Sequence, residues 1–124
     1  MTKPDMSHAM SHDPNCLFCK IAVGKIPARK VFEDDELLVF HDIAPWAPVH
    51  VLVIPKEHVA TMYELEPRHA PLLGRMMSMA PQLMRDFGVT NGFRTVINTG
   101  DDGGQEVQHL HLHVMGGARP WLKG

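Results

Sequence analysis

The stretch Gln108-His109-Leu110-His111-Leu112-His113-Val114-Met115 alternates imidazole and apolar side chains without a break. Successive side chains of an extended strand point to opposite faces, so His109, His111 and His113 share one face while Leu110, Leu112 and Val114 share the other. A helix would scatter the same residues around its axis. The spacing therefore predicts a strand, with the three histidines about 6.6 Å apart at their Cα atoms for a rise of about 3.3 Å per residue. Such a face suits two chemistries: an H-x-H pair can hold a metal, or one imidazole can react while its neighbours bind and protonate a substrate. Residues 99–106, just upstream, form a glycine-rich loop whose amides can cradle an anion.

Working outward, Lys30-Val31-Phe32-Glu33 and residues 36–43 read as strands joined by a two-residue hairpin turn at Asp34-Asp35. Val49-His50-Val51-Leu52-Val53-Ile54, closed by Pro55, has the composition of a strand buried on both faces. Residues 67–87 carry apolar side chains at intervals of three and four, including Met76, Met77, Met79 and Met84 as core filling. This is the one long helix, stopped by Gly88, with a kink expected at Pro81. Residues 93–98 form a fourth strand, and Cys16 to Ala22 can make one or two helical turns. The order implies an α+β class: a five-stranded, mainly antiparallel sheet, one long helix and a short amino-terminal helix.

The chain has 124 residues, 44% hydrophobic and 21% charged. That suits a single domain with a real core, running from 15 to 124 behind a mobile tail over residues 1–14. Twelve Lys and Arg against fourteen Asp and Glu give a net charge of −2, which disfavours a nucleic-acid binder. Apolar runs are too short for a membrane span, and the amino terminus lacks the apolar segment of a secretory leader, so a cytoplasmic address is expected. The two cysteines, Cys16 and Cys19, are too few for a disulfide scaffold; at this point they are a metal pair, a redox pair or a coincidence. His8, His12, His58 and His69 read as surface or tail residues.

The run from Gly103-Gly104-Gln105-Glu106 through His109-Leu110-His111-Leu112-His113 to Gly116-Gly117 resembles the histidine-triad (HIT) signature, and more closely its Hint branch. Lys25-Ile26-Pro27, Phe32-Glu33-Asp34-Asp35, Phe40-His41-Asp42-Ile43, Ala47-Pro48-Val49-His50 and Val53-Ile54-Pro55-Lys56 match the family in the same order. The resemblance spans about residues 16 to 121. It implies a HIT-like fold, a homodimer whose two sheets join, and hydrolysis of purine nucleoside 5′-phosphoramidates through a nucleotidyl-histidine intermediate.

By that resemblance His111 is the nucleophile and His113 assists departure of the amine, with Asn98 and Gln105 donating to phosphate or leaving group. Asp42 takes the ribose hydroxyls. Phe18, Ile21, Phe40, His41 and Ile43 form the base pocket, and Glu106 and Val107 flank the phosphate. Glu106 stands where animal Hint proteins commonly have Ser, and it faces a cationic leaving amine instead. The resemblance also implies zinc on Cys16 and Cys19, completed by His50 and His109, a closed and therefore structural set. Trp121 falls near a carboxyl-terminal Trp that in relatives reaches the partner's pocket. Dinucleoside polyphosphate hydrolysis, as in the Fhit branch, is disfavoured by Val114-Met115-Gly116-Gly117 in place of a Pro-Arg ending. A nucleotide-binding regulatory module is the remaining alternative.

Overall fold

The computed structural model describes residues 11–122. Five strands form one sheet: β1 (Lys30–Glu33), β2 (Leu37–His41), β3 (Val49–Pro55), β4 (Phe93–Val96) and β5 (Leu112–Gly116). Their order is β1-β2-β3-β5-β4, with every neighbouring pair antiparallel. A short helix α1 (Leu17–Ala22) precedes the sheet, and a long helix α2 (Ala70–Asp86) connects β3 to β4. This is the α+β arrangement that the periodicities implied.

Period-two alternation decides what each face meets. Leu37, Val39, Val51, Val53, Leu112 and Val114 point to one face, where α2 covers them with Met76, Ala80, Leu83 and Met84. Leu38, Phe40, Leu52 and Ile54 point to the other, beneath Cys16, Phe18, Cys19 and Ile21 of the α1 segment. The histidines of β3 and β5 lie on this second face. The sheet is thus buried on both sides, as the unbroken apolar run of β3 requires. Met76 and Met84 fill the core as expected, whereas Met77 is half-exposed.

Several boundaries differ from the sequence pattern for local reasons. Asp34 Oδ1 accepts the N–H groups of both Glu36 and Leu37 at 2.8 Å, so the β1–β2 turn takes three residues rather than two. Helix α2 runs past Pro81 and ends where Gly88 adopts φ 77°. There the Val89 N–H reaches Met84 O at 2.8 Å, closing the last turn. The β5 ladder starts at Leu112, opposite Val53, rather than at His109. Of the expected tail, residues 1–10, His8 among them, lie outside the described residues. Ser11 is already docked: its Oγ donates to His58 O at 2.9 Å and its carbonyl accepts the His58 N–H at 2.7 Å. Among the described residues no helix is long and apolar enough to cross a membrane.

Leu112 is 1% exposed between α2 and the sheet, so Leu112→Ala leaves a cavity there. We expect a loss of about 2–5 kcal/mol, read as a lower urea midpoint at unchanged slope.

Candidate functional site

Main-chain partners assign the hydrogens of the histidines, because a carbonyl oxygen only accepts and an amide N–H only donates. His111 Nδ1 lies 2.6 Å from His109 O and must donate to it, which leaves Nε2 with a free lone pair. His109 Nε2 lies 2.8 Å from Pro55 O and donates likewise, so the lone pair of His109 is on Nδ1. The Trp46 N–H donates to His50 Nδ1 at 3.0 Å. His50 Nε2–H then donates to His113 Nδ1 at 2.9 Å, which leaves the proton of a neutral His113 on Nε2. Three neighbouring histidines on one face thus hold three settings: a lone pair on Nδ1 facing the cysteines at His109, a lone pair on Nε2 at His111, and a proton on Nε2 at His113.

All three are neutral at pH 7. Burial pushes His109 and His113 down to about 4, helped at His113 by the adjacent His111 and His50, and burial also holds His111 and His50 below the usual histidine value. Nearby Asp42 works against burial at His50, His111 and His113, with its Oδ2 3.6 Å from His50 Nε2.

His111 and His113 line a cavity of about 230 Å³, together with Phe18, Leu52, Val107, Asp42, Trp46, Asn98, Gly104 and Glu106. Phe18 stands edge-on to His111 at 5.1 Å between ring centroids, and Trp46 stacks on His113 at 5.7 Å and 18°. The cavity is apolar beside Phe18, Leu52 and Val107. Carboxylate, amide and imidazole groups occupy the rest. A larger cleft of about 760 Å³ lies at the β4 edge and is lined by no histidine, cysteine or acid. Trp121 lies in that cleft, its Nε1–H on Gly117 O and the guanidinium groups of Arg94 and Arg119 over its ring at 5.2 and 4.4 Å from the centroid.

Of the residues singled out in the sequence, Phe18, Asp42, Asn98, Glu106, Val107, His111 and His113 meet at the triad cavity. The others do not. Ile21 and Phe40 are buried in the same apolar cluster as Phe18 and do not line the cavity. His41 points to the opposite face of the sheet and packs edge-on against Phe87, because β2 alternation separates it from Phe40. Ile43 is fully exposed on the following loop. Gln105 is buried with its amide spent: Nε2 donates to Ala60 O at 2.6 Å and Val107 O at 2.9 Å, and Oε1 accepts the Gly100 N–H. It therefore shapes the loop and has no donor left for phosphate. The loop is tight at Gly103, where a Cβ would lie 2.2 Å from Thr99 O, and Gly104 has φ 82°.

The metal set also changes. Cys16, Cys19, His58 and His109 converge, while His50 belongs to the hydrogen-bond chain beside Asp42 and His113. His58, which composition placed on the surface, stands with Nδ1 3.2 Å from Cys19 Sγ and 3.3 Å from His109 Nδ1. His109 Nδ1 lies 3.4 Å from Cys16 Sγ and 3.5 Å from Cys19 Sγ. A tetrahedral zinc at ordinary bond lengths would separate its ligands by about 3.3 Å (N to N) and about 3.5 Å (N to S). The donor set fits. Burial, with Cys16 alongside and against the hydrogen bond from the Asp13 main-chain N–H, pushes the Cys19 thiol up to about 11, so a cation is what would make it a thiolate. His50, which the resemblance placed in the set, has its Nδ1 occupied by the Trp46 N–H.

Comparison with known proteins identifies the family. The family described as "Scavenger mRNA decapping enzyme C-term binding" matches residues 15–122. Protein HitA of Neisseria gonorrhoeae is 54% identical over 82% of this chain and 95% of its own length. Adenylylsulfatase HINT1 of Arabidopsis thaliana is 42% identical over 88% of this chain and 76% of its own. Among solved structures, a HIT family hydrolase from Legionella pneumophila shares 48% identity and a TM-score of 0.82, covering 85% of this chain and 95% of that one. A zinc-bound histidine triad family protein from Mycobacterium smegmatis shares 32% identity and a TM-score of 0.74, covering 82% of this chain and 74% of that one. With the fold, the histidine alternation and these relatives in agreement, the chain belongs to the HIT family.

Proposed function

We propose that the protein hydrolyses nucleoside 5′-phosphoramidates by way of a nucleotidyl-His111 intermediate. The observation that carries this reading is the His111 Nδ1–H bond to His109 O at 2.6 Å, which leaves the opposite nitrogen unprotonated in the ring that borders the cavity. Neutral imidazole approaches an anionic phosphate without the repulsion a carboxylate would meet. In the first step His111 Nε2 bonds to phosphorus, the P–N bond to the leaving group breaks, and the amine takes a proton that His113 relays from solvent through Nε2, so that His113 ends the step neutral. In the second, water attacks phosphorus, the His111–phosphorus bond breaks, and the water proton leaves to solvent by way of His113. The His50 chain behind His113 supports the donor setting at its start and end.

The purine is assigned to the apolar end of the cavity beside Phe18, Leu52 and Val107. Asp42 accepts from the ribose, and Asn98 donates to phosphate. Glu106 is exposed at the rim, suited to a cationic amine. When bound, a zinc ion on Cys16, Cys19, His58 and His109 supplies a structural cross-link between the α1 segment, the residues after β3 and the start of β5. A homodimer follows from the same reading, since β4 is an edge strand with Phe93 partly exposed.

The test is turnover of an adenosine phosphoramidate, adenosine 5′-phosphosulfate and a diadenosine polyphosphate side by side. The first should be the best substrate; preference for the third would overturn the assignment. His111→Ala should lower turnover of every substrate at least about a thousandfold while AMP still binds. His113→Ala should cost about 10²- to 10⁴-fold on an amine leaving group and far less on sulfate, which leaves without a proton. Equal losses on both would remove His113 as the acid.

Two pH effects follow from burial. His111 reacts as the neutral ring, so kcat/KM should hold below pH 6.5 and fall only as pH drops through its lowered value. His113 titrates near 4 in the fold against 6.5 outside it, so the unfolded chain binds more protons between those values. Stability should therefore rise with pH across that window, by on the order of 3 kcal/mol from this residue. Denaturant midpoints at pH 4.5 and 7 on His113→Gln and the parent protein check the sign.

A further inference from the structure

Every polar atom of His109 serves a different part of the molecule. Its Nε2–H holds Pro55 O, its main-chain N–H donates to Val107 O at 2.9 Å, its carbonyl receives the His111 Nδ1–H, and its Nδ1 faces the cysteines and His58. The residue is completely buried. Its companions in the donor set are tied to the cavity as well. Cys16 and Cys19 bracket Phe18, whose ring stands against His111. Val59, next to His58, accepts the Leu110 N–H at 2.6 Å. Ala60 accepts from Gln105, which holds the loop from Gly100. Ligands and cavity walls therefore come from the same short segments.

We infer that His109 is a positioning residue for His111, so that a divalent ion on Cys16, Cys19, His58 and His109 and a nucleotide in the His111 cavity bind with positive coupling. The inference rests on the nucleotide reading of that cavity. An ion on Nδ1 fixes the plane of the His109 ring and with it the main chain whose carbonyl orients His111. A phosphate near His111 Nε2 draws that ring into place and tightens its Nδ1–H on the same carbonyl. Whichever ligand arrives first orders the shared residue, and the second meets a smaller ordering cost. Linkage requires the two affinities to rise by one factor.

The experiment uses the full chain loaded with zinc or cobalt, and AMP as the probe. Saturating AMP should tighten zinc, measured by competition with a chromophoric chelator, about tenfold, and zinc should tighten AMP by the same factor in calorimetry. On the cobalt form, AMP should shift the d–d absorption with a midpoint at its calorimetric Kd, a reading that needs no metal-free protein. His111→Ala leaves the four ligands and Phe18 in place, so it should bind AMP without moving the cobalt band. Zinc affinity unchanged within twofold by AMP, or a cobalt band unmoved, overturns the coupling and leaves the nucleotide reading standing. A full cobalt response in His111→Ala overturns the His109 route. Failure of AMP to bind the loaded protein overturns the nucleotide reading and this inference together.

Discussion

A single hydrogen bond, from His111 Nδ1 to the carbonyl two residues earlier, organises the chemistry of this face. It is short, buried and directional, and it converts a symmetric acid–base group into one with a defined donor side and a defined lone-pair side. The segment leading into β5 supplies both partners, His109 and His111 two residues apart just before the ladder begins at Leu112. Neighbouring rings are set in the same way, His109 by Pro55 O and His50 by the Trp46 amide. Main-chain groups are held by the sheet and its connections, so the proton placement inherits the rigidity of the fold.

The sheet and its helices were legible because their signals are local and periodic. Alternation across 108–115 assigned the histidine face, and the three-and-four spacing of 67–87 assigned the long helix. The start of the last ladder was not legible from that alternation. β3 stops at Pro55, a residue with no N–H for a further rung, and Pro55 O accepts the His109 ring Nε2–H while the Leu110 main-chain N–H goes to Val59 O instead.

At the site, what failed had two causes. His41 was placed with Phe40 although strand parity sends them to opposite faces, so that signal was present in the sequence and overridden by family position. His58 is different: it follows β3 in an irregular segment and gains its role from α1 and β5, which no local pattern joins. Gln105 had a suitable amide, but only the folded loop reveals that its donors already serve Ala60 and Val107. Residue type tells what a side chain is able to do; its partners decide what capacity is left.

The close approach at Gly103 bears on how this protein could be diversified. With Thr99 O occupying the space where any side chain would begin, that position admits no substitution without moving the backbone that frames the cavity. Asp101, Asp102 and Glu106 around it are exposed. A combinatorial library aimed at new leaving groups therefore has its tolerant codons at 101, 102 and 106, and an invariant one between them.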